Sequence, residues 1–151
     1  MILPDFKAFP RVGRIMGIDW GARRTGVAVT DVSQEFFFTR PPIVVPRGGD
    51  AATMVADLAR DAGAVAIVVG VPYRLDGSAS DTTARVREFA DALAGRVDVP
   101  IFLIDETLSS FAAQSDMGRV RRADIKEKLD SNAARVILEN AVAMGRRCGA
   151  Q

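Results

Sequence analysis

The pattern of this chain predicts an α/β fold: a mixed five-stranded sheet with helices on both faces. Three observations predict it. Two short apolar runs separated by only a few residues open the chain as an antiparallel hairpin. After a third extended piece, helical and strand-like segments alternate. One of the later runs is almost continuously apolar, as a parallel strand covered on both faces must be. Right-handed crossovers then place the fourth strand beside the first, giving the spatial order 3-2-1-4-5.

The first run is RIMGIDWG, Arg14 to Gly21, and the second is RTGVAVTD, Arg24 to Asp31. So short a connection forces the hairpin. In FFFTRPPIVV, Pro41 and Pro42 remove backbone donors, which an edge strand tolerates best. Phe36, Phe37 and Phe38 read either as one face of core or as an edge able to pair with a second chain. Beyond Gly48 and Gly49 the period becomes helical: Asp50 can cap, Val55, Leu58 and Ala59 form a stripe, and Gly63 follows the last turn. AVAIVVGVP is the buried strand. Ser78 and Asp81 have the spacing of a capping box for a helix carrying Val86, Phe89, Ala90 and Leu93, which Gly95 ends. PIFLIDE is the fifth strand. A helix from about Leu108 stops at Gly118, a basic loop runs from Arg119 to Lys128, and a last helix carries Ala133, Ala134, Val136, Ile137, Ala141 and Met144.

With 151 residues, 48% apolar and 26% charged, the chain is expected to form a single domain over 1–151, with residues 1–13 as a flexible N-terminal extension. A formal charge of +1 excludes a uniformly basic nucleic-acid glue and leaves local clusters of Arg to make any phosphate-binding face. There is no histidine, so acid–base chemistry falls to carboxylates, Lys, Tyr or metal-bound water, and imidazole zinc sites are excluded. A lone Cys148 makes no intrachain disulfide. No apolar stretch approaches the roughly 20 residues that span a bilayer, so a cytoplasmic protein with no membrane partner is expected.

Acids stand where apolar elements end. Asp19 closes the first strand before Trp20 and Gly21, Asp105 and Glu106 close the fifth, and Asp130 opens the last helix. Two like charges about 4 Å apart repel by about 4 kcal/mol at an effective dielectric near 20, and a divalent cation removes that cost. Each acid also has a plainer reading: Asp19 caps its own turn, Asp130 is a helix N-cap, and either strand acid meets solvent. Successive strand residues point to opposite faces, so Asp105 and Glu106 cannot easily serve one site together, and the residues alone leave the choice open. Asp130 precedes Ala133, Ala134 and Ile137, a small apolar helix face on which an acid needs a partner or a metal. Arg23, Arg24, Arg74, Arg119, Arg121, Arg122, Lys126 and Lys128 gather in the neighbouring segments, either as solvated loops or as phosphate contacts that position nucleic acid without reading its sequence.

GIDWGARRTGVAVTD, VVGVPYRLDGS, DETLSS and KLDSNAARVILE, in this order and spacing, resemble the YqgF family, also called RuvX, of Holliday-junction-resolvase-like proteins and pre-16S rRNA nucleases. The match runs from Arg14 to about Arg146. It implies a ribonuclease H-like fold and a hydrolase acting on ester bonds, with Asp19, Glu106 and Asp130 binding Mg²⁺ or Mn²⁺; it selects Glu106 over Asp105. It further implies processing of the 5′ end of pre-16S rRNA in ribosome biogenesis, with nucleic acid and ribosomal particles as partners and a monomer or homodimer as the working unit. The expected chemistry is two-metal hydrolysis, with Asp19 shared and Glu106 and Asp130 holding one ion each. Two positions depart from the pattern. Thr107 stands where the family commonly has Arg, and Ala133 stands where the related RuvC resolvases carry a further acid.

Three other functions compete with rRNA processing. A Holliday junction resolvase of DNA recombination and repair would use the same acids. An actin-like or sugar-kinase-like ATPase would use the Asp-x-Gly turn for phosphate, but it clamps nucleotide between two related domains. A non-catalytic RNA-binding assembly factor would have no need of the intact acid set.

Overall fold

The structure, a computed structural model, describes residues 1–3, 5–106 and 122–149, with side chains in the last stretch described over 132–148. Its strands are β1 (Ile2–Leu3), β2 (Arg14–Asp19), β3 (Arg24–Thr30), β4 (Phe37–Val44), β5 (Ala64–Val71) and β6 (Ile101–Asp105). Its helices are α1 (Ala51–Ala62), α2 (Asp81–Ala94) and α3 (Arg122–Gly149). The sheet order is β1-β6-β5-β2-β3-β4. β2, β3 and β4 form the antiparallel meander, while β2, β5, β6 and β1 run parallel.

The expected five strands are β2 to β6 in their expected mutual order, but the sheet has six. The sixth comes from the segment read as an extension. Ile2 and Leu3 pair in parallel with Ile101 and Phe102, and a two-residue strand is too short to leave a period in the sequence. Phe6 and Phe9 are buried and pack with Phe102, ring centroids lying 5.0 to 5.4 Å apart. Gln34, in a left-handed turn, donates from Nε2 to the carbonyls of Pro10 and Gly13, each at 3.0 Å, and accepts from Arg146 of α3 through its own carbonyl. Ile2 and Leu3 therefore join the sheet, Phe6 and Phe9 join the core, and Pro10 and Gly13 are held by Gln34.

Both helix ends of α1 follow the expectation. Asp50 accepts from the Ala52 N–H at 3.0 Å, and Gly63 adopts φ 69°, returning its N–H to Ala59 and Arg60. The capping box of α2 is shifted by two residues. Ser80 caps and exchanges bonds with Thr83, whereas Ser78 bonds to Asp76 in the preceding turn. Repeated Ser, Asp and Thr in DGSASDTT offered both registers; Thr83 Oγ also reaches the Pro72 carbonyl, which fixes the second.

The last helix starts at Arg122, so Arg122, Lys126 and Lys128 are helical rather than in a loop, and Asp130 lies within the helix instead of opening it. The reading of Asp130 as an N-cap falls with that correction. Asp, Ser and Asn are common at helix starts, but the same residues also occur within a helix that begins earlier, as this one does at Arg122. The expected helix from Leu108 to Gly118 lies outside the described residues, as do Thr107, Arg119 and Arg121.

Strand alternation divides the core into two layers. Met16, Ile18, Val27, Ile67, Val69 and Val71 face α1 and α2, while Ile15, Ala28, Ala66, Val68, Phe102 and Ile104 face α3. β4 is the edge, with its pairing irregular around Pro41 and Pro42. Phe36 and Phe38 are exposed and only Phe37 packs inward, so the three do not form one core face.

Candidate active site

Asp19 and Glu106 come together at the C-terminal end of the parallel strands. Their parity makes this possible. Gly17 and Asp19 on β2, Val68 and Gly70 on β5, and Ile104 and Glu106 at the end of β6 all fall on the α3 side of the sheet. Ile18 pairs with Val69, and Val71 with Asp105, so the ends of β2 and β6 flank β5. A backbone bond from Glu106 N–H to the Val71 carbonyl, 3.2 Å, holds the acid against the end of β5.

Glu106 is 5% exposed, and Asp19 is half-buried. Burial pushes the Glu106 carboxyl up; a side-chain hydrogen bond with Asp19 opposes that rise, and the nearby charge of Asp105 adds to it. Two carboxylates in hydrogen-bond contact require a shared proton or a cation, because ionised carboxylates only accept. Glu106 Oε2 has no hydrogen-bond partner among the described residues. A buried oxygen without a donor, beside a second acid, is chemically suited to a hard divalent cation. Asp105 is exposed on the other face, which is the division that strand parity requires.

Glycine makes room for this arrangement. A Cβ at Gly70 would fall inside contact distance of Ile137 Cδ1 and 3.0 Å from Glu106 Oε2. At Gly17 it would lie 2.8 Å from both the Ala134 carbonyl and Leu138 Cβ. α3 thus rests directly on β2 and β5, above the acids. A glycine inside an apolar strand signals such close approach, and this was the legible clue to Gly70, which the motif reading passed over. Asp130 stands four residues before Ala134 in α3, and its side chain lies outside the described residues. No group of three metal-ligating side chains occurs among the described residues.

Of the basic residues, Arg23 and Arg24 lie in the turn after Asp19 and at the start of β3. Arg74 follows β5, in a turn closed by its carbonyl accepting from Gly77 N–H and its N–H donating to Ser78. All three are at the end of the sheet that holds the acids. Arg122, Lys126 and Lys128 belong to α3, with side chains outside the described residues.

The fold resembles two solved resolvases. Thermus thermophilus RuvC in complex with a Holliday junction substrate superposes with a TM-score of 0.51 at 16% identity, covering 87% of this chain and 94% of that one. The yeast mitochondrial Holliday junction resolvase Ydc2 gives 0.52 at 12% identity, covering 95% and 84%. The shared architecture is ribonuclease H-like. A "Putative pre-16S rRNA nuclease" of Maridesulfovibrio salexigens is 40% identical over 134 residues, 86% of this chain and 98% of the relative. One of the same name from Acidiphilium cryptum is 33% identical over 140 residues, 88% and 85%. The family model described as RuvX: Holliday junction resolvase matches residues 13–144, and the chain belongs to this family. No helix among the described residues is long and apolar enough to cross a membrane.

Proposed function

We propose that this nuclease is metal-dependent and trims the 5′ end of pre-16S rRNA during ribosome biogenesis. The observation that carries metal dependence is the contact between Asp19 and Glu106, with Glu106 Oε2 buried and without a hydrogen-bond partner among the described residues. The names of the relatives carry the choice of substrate.

Asp19, Glu106 and Asp130 would hold Mg²⁺ or Mn²⁺, which when bound supplies an activated water and offsets charge on the phosphate. Glu106 is fixed by its backbone bond to β5 and by the space that Gly70 leaves, so its carboxylate needs little reorganisation. Arg23, Arg24 and Arg74 lie at the same sheet end and hold phosphates of the strand. We assign Arg119, Arg121, Arg122, Lys126 and Lys128 to the same role of phosphate contact. Such contacts set register on the backbone without choosing a sequence. In this reading the residues act within one domain on ribosomal particles or their precursor RNA.

A second reading, cleavage of a four-way DNA junction, is favoured by the description of the family model. One assay separates the two. Precursor 16S RNA and a synthetic four-way junction are incubated side by side with wild type and Asp19→Asn, in Mg²⁺, Mn²⁺ or EDTA. Cutting of the RNA at its mature 5′ end, lost in EDTA and in Asp19→Asn, is the expected result. Cutting of the junction alone sinks the rRNA assignment, and cutting that survives EDTA sinks metal dependence.

A further inference from the structure

Trp20 directly follows Asp19, yet alternation sends the two side chains to opposite faces of the sheet. The acid joins Glu106 on the α3 side, and the indole packs against the α1–α2 layer. The ring is half-buried and rests on Phe89 of α2, with centroids 6.3 Å apart and planes inclined by 36°. Trp20 also lines an open cleft of about 510 Å³, shared with Ala22, Ala52, Arg85, Glu88 and Phe89. The small residues Ala22 and Ala52 leave that volume free beside the indole. Arg85 supplies a cation, while Asp50, also on the cleft, is already engaged by the Ala52 N–H, Thr53 and Arg96.

An aromatic face in an open cleft, one residue away from the acid that faces the scissile bond, suits a flat heterocycle carried by the substrate. Adjacent Cα atoms are only about 3.8 Å apart, so the cleft and the acid pair lie at the same end of β2, on its two opposite faces. We propose that Trp20 is the stacking platform for an unpaired base of the cut strand, seated in the cleft between α1 and α2, around the end of β2 from the acid pair. The inference rests on the nuclease reading above and adds to it a place where the flanking nucleotide is held. Stacking tolerates any base, because every base offers a π face. The platform positions the strand and imposes no sequence.

Trp20 is the single tryptophan of the chain, so its emission reports on the cleft directly. In EDTA, a short single-stranded RNA quenches that emission on titration, and the same strand with abasic residues does not. Trp20→Leu keeps an apolar contact with Phe89 and removes the stacking face; it weakens binding of a labelled strand, read by anisotropy, by about tenfold. Trp20→Phe restores most of the affinity, which a merely structural role for bulk at this position would not require. Phe36→Leu, an equally conservative change at an exposed aromatic beside the edge strand, binds as wild type. Equal quenching by intact and abasic strands, or unchanged affinity in Trp20→Leu, overturns the platform. If Asp19→Asn nevertheless abolishes cutting, the nuclease reading survives that failure. If wild type cuts neither RNA nor DNA, the nuclease reading and the platform fall together.

Discussion

The two faces of the sheet are made by the same strands and differ in what they carry. Toward α1 and α2 the central strands present Met16, Ile18, Val27, Ile67, Val69 and Val71, an ordinary aliphatic layer. Toward α3 they present Ile15 and Val68 interleaved with Gly17, Ala28, Ala66 and Gly70, and at the two glycines the helix comes down onto the strands. Both faces make a core, but only on the α3 face do missing side chains, at Gly17 and Gly70, open a close approach next to Asp19 and Glu106. The desolvation that raises the Glu106 carboxyl goes with this close approach of α3.

The largest effect that could break this division concerns Asp19. Asp19→Asn should lower the rate of cutting by at least about a hundredfold, since several kcal/mol of charge stabilisation are at stake, while leaving the unfolding midpoint near wild type. A rate within tenfold of wild type would show that chemistry is not confined to the α3 face. Next in size is Phe9→Ala, which removes a buried ring lodged against Gly145 of α3, where an added Cβ would fall well inside contact distance of the ring. It should cost about 3 kcal/mol in chemical denaturation, and a loss below about 0.5 kcal/mol would return residues 1–13 to the status of a loose extension.

Gly70→Ala sharpens the comparison at its centre. Its methyl collides with Ile137 and crowds Glu106, so stability should fall by about 2 kcal/mol, and activity should fall further than the unfolded fraction accounts for. Glu106→Gln should act in the opposite direction on stability: replacing a buried carboxyl beside Asp19 with a neutral amide should raise the unfolding free energy in EDTA by about 1 kcal/mol while cutting is lost. A destabilised Glu106→Gln would mean that the acid pair is part of what holds the fold. The smallest effect belongs to the opposite face. Ile18→Val, adjacent to Asp19 in sequence, should cost about 1 kcal/mol and leave the rate per folded molecule unchanged.

Much of the fold was legible because period and punctuation are local. The hairpin of β2 and β3 followed from a short connection, α1 from Asp50 and Gly63, and the buried β5 from its unbroken apolar run. What failed was also local: DGSASDTT allowed two capping registers, and KLDSNA looked like a helix start because Asp, Ser and Asn favour caps. β1 was illegible at two residues, since pairing with β6 depends on where Phe6 and Phe9 find the Phe102 ring and not on any pattern of its own.

At the site, the sequence by itself determined that acids end the apolar elements, that Asp105 and Glu106 must part company, and, through family resemblance, which of the two joins Asp19. Only the tertiary structure decided that Glu106 is buried, that Gly17 and Gly70 admit α3, and that Trp20 rests on Phe89 beside an open cleft. The physical reason is range. Alternation and capping are set by neighbours along the chain, whereas desolvation, close approach and stacking are set by segments that meet only after the sheet has formed.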